Sequence, residues 1–63
     1  REKRELYQAV MDLPGKYRLP LYLYYYEGYA VDEVGEIMGL NPSTVQTRLA
    51  RGREKLKKTL TEE

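Results

Sequence analysis

A run of cationic side chains in the last third of this chain is the segment best suited to binding a partner. Between Arg48 and Lys58 there are six basic residues and one acid, a local charge of +5 in a chain whose net charge is +1. The basic residues are Arg48, Arg51, Arg53, Lys55, Lys57 and Lys58. Clustered guanidinium and ammonium groups suit a polyanion, and this segment therefore indicates binding to DNA.

The same segment has the periodicity of an amphipathic helix. Its apolar and small residues recur on one stripe, which holds Val45, Leu49, Gly52, Leu56 and Leu60. The opposite side of the helix carries Thr47, Arg51, Glu54 and Lys58. The pattern predicts that one face packs against the domain and the other is free to read DNA.

The residues before this helix predict a tight turn from a preceding helix. Gly39 has the permissive backbone with which a short helix can end, and Asn41 can cap the next helix. Pro42 suits the first helical position, where no backbone N–H is needed. Two helices are therefore expected to meet at this turn.

The arginines differ in the contacts that their positions on the helix predict. Arg51 lies opposite Leu49 and Leu56 and can donate a bidentate pair of hydrogen bonds to guanine, so it is the expected base reader. Arg48 and Arg53 lie nearer the flanks. Their positions fit phosphate contacts and also fit salt bridges, for which the acids are Asp32, Glu33 and Glu36.

The elements that position this helix are predicted to be helical too. The helices are expected at about residues 2–13, 16–27, 31–38 and 42–60, which makes one all-α domain over residues 1–63 with a helix-turn-helix over 31–60. Pro20 either kinks the second helix or marks its first turn. The tyrosine run at 22–26 also has strand propensity, but there is no second strand candidate to pair with it. The apolar positions Leu6, Val10 and Leu13 in the first helix and Val31, Val34, Ile37 and Met38 in the third form the expected packing stripes.

The composition argues against several classes of function. The chain has no cysteine and no histidine, so it lacks a disulfide and the commonest ligands of structural zinc. The four acids Glu27, Asp32, Glu33 and Glu36 fit a solvated helix face better than a metal or acid/base cluster. We therefore predict no catalytic residue, no metal, no cofactor and no enzymatic activity.

The ends of the chain and its apolar runs also bear on its location. No run is long enough to cross a bilayer and no secretory leader is present, so we expect a cytoplasmic domain with no membrane partner. The chain begins at Arg1 and is charged at both ends, which is typical of a domain excised from a longer protein.

The tyrosines predict a second surface. Tyr22, Tyr24, Tyr25 and Tyr26 point around most of a helix circumference, so a domain this small cannot bury all of them. At least one is expected to be exposed. An exposed aromatic side chain on a helix indicates a surface that binds a protein partner.

Four blocks of residues, in this order, resemble a known family. They are Leu13-Pro14, Tyr26-Glu27-Gly28-Tyr29, Val34-Gly35-Glu36-Ile37-Met38-Gly39 and Thr44-Val45-Gln46-Thr47-Arg48-Leu49-Ala50-Arg51-Gly52-Arg53-Glu54-Lys55-Leu56. Together they resemble the fourth conserved region of bacterial sigma factors, especially those of the extracytoplasmic-function group. The resemblance covers nearly the whole chain.

The resemblance implies a promoter-recognition domain. In that family the last helix binds the −35 promoter element in the major groove, and earlier helices contact the beta flap of RNA polymerase. By position, the implied base-reading residues are Gln46, Thr47, Ala50 and Arg51. The implied phosphate contacts are Ser43, Thr44, Arg48, Arg53 and Lys55. The implied polymerase contacts are Tyr22, Tyr24, Tyr25 and Tyr26.

Three positions depart from the usual pattern of the family. Gly35 stands where alanine is commoner, and Ala30 stands where serine or threonine often caps the third helix. These two changes should weaken that helix by roughly a kcal/mol each. Gln46 replaces a frequent lysine or arginine, although glutamine can itself read adenine.

Two other functions fit the same residues. One is the helix-turn-helix output domain of a response regulator or a recombinase. The other, from a different class, is a protein-docking module that an anti-sigma factor binds. DNA binding that requires core polymerase would distinguish the sigma-factor hypothesis from the first alternative. Tight partner binding without salt-sensitive DNA affinity would favour the second alternative.

Overall fold

The computed structural model describes residues 3–61, which fold into four α-helices with no β-strand among them. The helices are α1 (Lys3–Met11), α2 (Gly15–Leu21), α3 (Val31–Met38) and α4 (Pro42–Thr61). A π-helical turn (Tyr22–Tyr26) continues α2. The predicted all-α class with a C-terminal helix-turn-helix, formed by α3 and α4, is confirmed. The expected start of the first helix at residue 2 lies outside the described residues.

Pro14 sets the boundary between α1 and α2. A proline disfavours the helical conformation for the residue before it, here Leu13. As a result α1 ends at Met11 rather than at the predicted Leu13. Pro14 itself is extended, with φ −55° and ψ 147°. Its carbonyl accepts hydrogen bonds from the N–H groups of Tyr17 and Arg18, each at 2.9 Å. As a result α2 begins at Gly15, one residue before the predicted start.

Pro20 lies inside α2 and is fully buried, so the alternative that it forms the first turn is wrong. It has no N–H with which to bond the carbonyl of Lys16. The α-helical pattern ends one residue later, at Leu21, and the next turn is wider. In that turn the N–H of Glu27 donates to the carbonyl of Tyr22 at 3.1 Å, five residues back instead of four.

Gly28 ends the tyrosine-rich segment. Its φ of +79° lies in the left-handed region, where a side chain would be strained. Beyond it, the N–H of Tyr29 turns back and donates to the carbonyl of Leu23 at 3.0 Å. This bond satisfies one of the carbonyls that a helix end leaves without a partner.

The core lies where α4 packs against the other three helices, all of which it contacts. The most deeply buried aliphatic side chains are Leu21, Val34 and Val45. The remaining core residues are Ala9, Val10, Leu13, Tyr17, Leu23, Leu49 and Leu56. Gly52 allows a close approach, because a Cβ atom there would lie 2.6 Å from Cδ1 of Leu21.

Two residues of the predicted packing stripes are exposed instead. Leu6 is 40% exposed and Ile37 is 52% exposed. Both helices are short, and each buries only two adjacent residues, Ala9 and Val10 in α1 and Val34 and Gly35 in α3. A helical stripe in the sequence is wider than the buried part of the helix, so its edge residues remain in solvent.

The start of α3 has half of a capping box. The N–H of Ala30 donates to Oε1 of Glu33 at 2.8 Å, which is one of the two reciprocal bonds. Alanine has no side-chain acceptor for the N–H of Glu33, so the other bond is missing. This agrees with the expectation that Ala30 leaves the third helix without a side-chain cap.

We predict that Ala30→Ser stabilises the domain, because the new hydroxyl oxygen can accept the free N–H. The expected gain is about 1 kcal/mol. For a domain of this size that gain raises the melting temperature by roughly 4–8 °C, measured by thermal denaturation. Ala50→Ser, inside α4, is the matched control and should lower the melting temperature slightly through its poorer helix propensity. A melting temperature for Ala30→Ser equal to or below that of the parent would contradict the prediction.

Candidate nucleic-acid interface

A tight turn sets the position of α4 relative to α3. Gly39 adopts the left-handed conformation, with φ +71°, and the N–H of Leu40 donates to the carbonyl of Gly35 at 2.8 Å. A Cβ atom on Gly35 would lie 2.5 Å from the carbonyl oxygen of Leu40. From the sequence, Gly35 is expected to weaken α3. The structure shows that its lack of a side chain also makes room for the turn.

Asn41 caps the N-terminus of α4, as predicted. Its Oδ1 accepts the N–H of Thr44 at 2.9 Å and the hydroxyl of Ser43, also at 2.9 Å. Its carbonyl accepts the N–H of Val45 at 3.1 Å. These bonds fix the first turn of α4. This turn is the positive end of the helix dipole, which favours anions.

The four residues predicted to read bases share one property. All of them are exposed, while the stripe of Val45, Leu49, Gly52 and Leu56 is buried. The four are Gln46, Thr47, Ala50 and Arg51. The rotation of α4 about its axis is therefore the one that the periodicity predicted.

Thr47 is constrained by a bond to its own helix. Its hydroxyl donates to the carbonyl of Ser43 at 3.0 Å, so the hydroxyl hydrogen is not available to a DNA base. The methyl group and the oxygen lone pairs remain for a partner. A contact with the methyl group of thymine, which is apolar, suits this arrangement.

The salt bridges that were considered for Arg48 and Arg53 do not form. Neither side chain makes an ion pair with any of the three acids near α3, which are Asp32, Glu33 and Glu36. Arg48 is half-buried and has no hydrogen bond within residues 3–61. Arg53 is exposed, and its Nη1 donates to the hydroxyl of Tyr25 at 3.0 Å.

Lys55, a predicted phosphate contact, lies toward α2. Its ammonium group stands over the ring of Tyr17, 5.6 Å from the centroid, and the ammonium of Lys16 is 5.2 Å from the same centroid. The ring is buried, but both lysines are exposed. Two cations near one aromatic ring attract an anion more strongly than either does alone.

The tyrosines of the π turn are mostly exposed, so the expectation that at least one is exposed is confirmed. Tyr24, Tyr25 and Tyr26 are 37%, 54% and 43% exposed, whereas Tyr22 is half-buried. The rings contact one another: Tyr22 stacks on Tyr26 at 5.6 Å, and Tyr24 meets Tyr25 edge to face at 4.9 Å. A hydrogen bond to Glu27, together with its negative charge, raises the pKa of Tyr22.

The structure divides these four tyrosines among three depressions. Tyr25 and Tyr26 line an apolar groove of about 500 Å³ between α1, the π turn and α4. Tyr22 lines a shallower depression beside Leu19. Tyr24 lines a third, which also contains Gln46, Ala50 and Arg53. The four tyrosines, whose rings contact one another in pairs, therefore line more than one depression.

The apolar groove contains residues that sequence reasoning did not assign to a site. Its other lining residues are Leu6, Val10, Leu21, Arg53 and Leu56. Beside it, the ring of Tyr7 contacts that of Tyr26 edge to face, with centroids 5.7 Å apart. Leu6 was assigned to the core because its spacing from Val10 is helical. No signal in the sequence separates the edge of a stripe from its centre.

Within residues 3–61, no three acidic side chains are grouped so that they could hold a metal ion. None of the described helices has both the length and the apolar character needed to cross a membrane.

Comparison with known proteins gives a consistent match. The family described as "Sigma-70, region 4" matches residues 3–56. The chain is 43% identical over 53 residues to the "ECF RNA polymerase sigma factor SigW" of Bacillus subtilis (strain 168), a match that covers 84% of this chain and 28% of that protein. It is 36% identical over 59 residues to the "RNA polymerase sigma factor SigV" of the same organism, covering 94% of this chain and 36% of that protein. The chain thus spans about a third of the length of these curated relatives.

Proposed function

This chain belongs to the sigma-70 region 4 family, and we propose that it binds the −35 element of promoter DNA as part of an RNA polymerase sigma factor. It would act in transcription initiation, in the cytoplasm, and without chemistry of its own. The observation that carries the proposal is the outer face of α4 between Arg48 and Lys58, where six basic side chains, five of them exposed, stand against one acid, Glu54. Such a face has a net positive charge that attracts a polyanion.

In the proposed complex α4 lies in the major groove, which is wide enough for one helix. Arg51 would donate to guanine and Gln46 to adenine, the pairings for which these side chains are suited. Thr47 and Ala50 would offer methyl groups to thymine. These roles rest on exposure, on the rotation of α4 and on position within the family.

The proposed phosphate contacts surround this face. Ser43 and Thr44 lie in the capped first turn of α4, and Arg48, Arg53 and Lys55 lie further along it. The three cations provide charge, whereas the first turn provides the helix dipole and the hydroxyl of Thr44, since the hydroxyl of Ser43 and the N–H of Thr44 already donate to Asn41. Contacts of this kind fix register and orientation, and the base contacts then provide specificity.

The apolar groove is the proposed site for RNA polymerase. Leu6, Val10, Tyr26 and Leu56 give it an apolar lining, which suits the apolar face of an amphipathic helix. The beta flap, implied by the family resemblance, is the partner that we propose there. An anti-sigma factor that covered this groove would block polymerase and would also contact Arg53, a proposed phosphate contact. The protein-docking alternative is therefore compatible with this function, as a way of regulating it.

The first prediction from this proposal concerns salt. Three cationic phosphate contacts should give a slope of roughly −3 in a plot of log affinity against log salt concentration, because each neutralised phosphate contributes about −0.9. Fluorescence anisotropy of a labelled promoter duplex at several salt concentrations measures this slope. An affinity that does not change with salt would contradict the nucleic-acid function.

The second prediction separates base reading from phosphate binding. Arg51→Ala should cost about 1–3 kcal/mol on the cognate duplex and relax preference at one base pair, because a bidentate contact is lost. Arg48→Ala is the matched control and should weaken cognate and scrambled duplexes by the same factor. Competition binding with both duplexes measures the difference. Equal losses for Arg51→Ala on the two duplexes would remove its role as a base reader.

The third prediction concerns the groove. Leu6→Ala should weaken binding of a beta-flap fragment by more than about 1 kcal/mol, because truncating an apolar anchor of such an interface typically costs that much. Leu19→Ala is the matched control, because Leu19 is 43% exposed against 40% for Leu6 but lies outside the groove. Calorimetric titration measures both affinities. If the two variants bind the flap fragment equally well, the groove is not the polymerase site.

A further inference from the structure

One hydrogen bond joins the tyrosine-rich turn to the cationic helix. Nη1 of Arg53 donates to the hydroxyl oxygen of Tyr25 at 3.0 Å, between residues that are 28 positions apart in the chain. Both side chains are exposed. The family resemblance assigns Tyr25 to a polymerase contact and Arg53 to a phosphate contact, and it assigns no role to the bond between them.

The partner of Arg53 is neutral, and this decides what the bond can do. A carboxylate in the same place would cancel the positive charge and would compete with a phosphate for the guanidinium. The hydroxyl of Tyr25 takes one of the five N–H donors and leaves the charge intact. Arg53 is therefore held in place and remains able to bind an anion through its other donors.

The surroundings of Arg53 place it at the edge of the proposed DNA face. It lines the depression that also contains Gln46 and Ala50, two of the proposed base readers. The ring of Tyr25 is in turn supported by Tyr24, whose ring meets it edge to face at 4.9 Å. The hydroxyl that holds the guanidinium is thus itself fixed by the π turn.

We propose that Tyr25 is a positioning residue for DNA binding: its hydroxyl holds the guanidinium of Arg53 beside the base-reading face, ready to bind a backbone phosphate. A long side chain that is free in solution loses conformational freedom when it binds a phosphate, and this loss weakens binding. In this domain, part of that ordering takes place when the protein folds. The inference rests on the proposed DNA-binding function and deepens it.

The test is Tyr25→Phe, which removes only the hydroxyl and keeps the ring. Its affinity for the promoter duplex should be roughly two- to tenfold weaker, the factor that ordering one long side chain typically costs on binding. Tyr29→Phe is the matched control. Tyr29 is also exposed, it lines none of the three depressions, and its hydroxyl makes no hydrogen bond within the described part of the chain. That variant should bind as the parent does.

A second measurement separates positioning from a general structural role. On an Arg53→Ala background, Tyr25→Phe should cause no further loss of DNA affinity, because the hydroxyl then has no guanidinium to hold. The melting temperature of Tyr25→Phe should stay within experimental error of the parent, since an exposed hydroxyl contributes little to folding.

The outcomes distinguish this inference from the function on which it rests. If the parent binds the duplex with the expected salt dependence but Tyr25→Phe binds equally well or more tightly, only the positioning role is overturned. An equal loss on the Arg53→Ala background would overturn it too, since the hydroxyl would then act independently of Arg53. If the parent shows no salt-dependent affinity, the proposed function fails and the inference fails with it.

Discussion

The burial of one stripe of α4 is the constraint on which the rest of this structure depends. Val45, Leu49, Gly52 and Leu56 are the buried residues of α4, and that helix contacts the other three. Rotating α4 about its axis would bring charged side chains into the core, where no partner could compensate their lost hydration. The packing of these few residues therefore decides which side chains face outward. The cationic face is a consequence of the core.

Two glycines make this packing possible at close range. Gly52 lets α4 approach Leu21, and Gly35 lets the turn before α4 fold back against α3. Neither glycine has a positive φ, so their function here is to provide space, unlike Gly28 and Gly39, which adopt left-handed conformations. A small domain has few residues with which to fill a core, and bringing backbones close together compensates in part for the shortage.

The sequence predicts those features that a single helix decides by itself. The rotation of α4, the cap at Asn41 and the stop at Gly39 follow from periodicity and from local hydrogen bonding, and the structure has them. Leu6 and Ile37 were assigned incorrectly to packing stripes, because exposure at the edge of a stripe depends on the width of the contact with another helix. The π turn and the bond between Arg53 and Tyr25 depend on how distant segments meet. A local sequence pattern does not predict contacts between segments that are far apart in the chain.

The choice of aromatic residue fits the two surfaces that this domain presents. The chain contains seven tyrosines but no phenylalanine and no tryptophan. A phenol combines an apolar ring with a polar tip, so it can pack by its face or edge and still keep its hydroxyl in water. Tyr17 uses the ring alone, buried beneath two lysines, whereas Tyr25 uses the hydroxyl to hold an arginine. Phenylalanine at position 25 could pack in the same way but could not hold Arg53, so the hydroxyl of Tyr25 connects the aromatic surface to the cationic one.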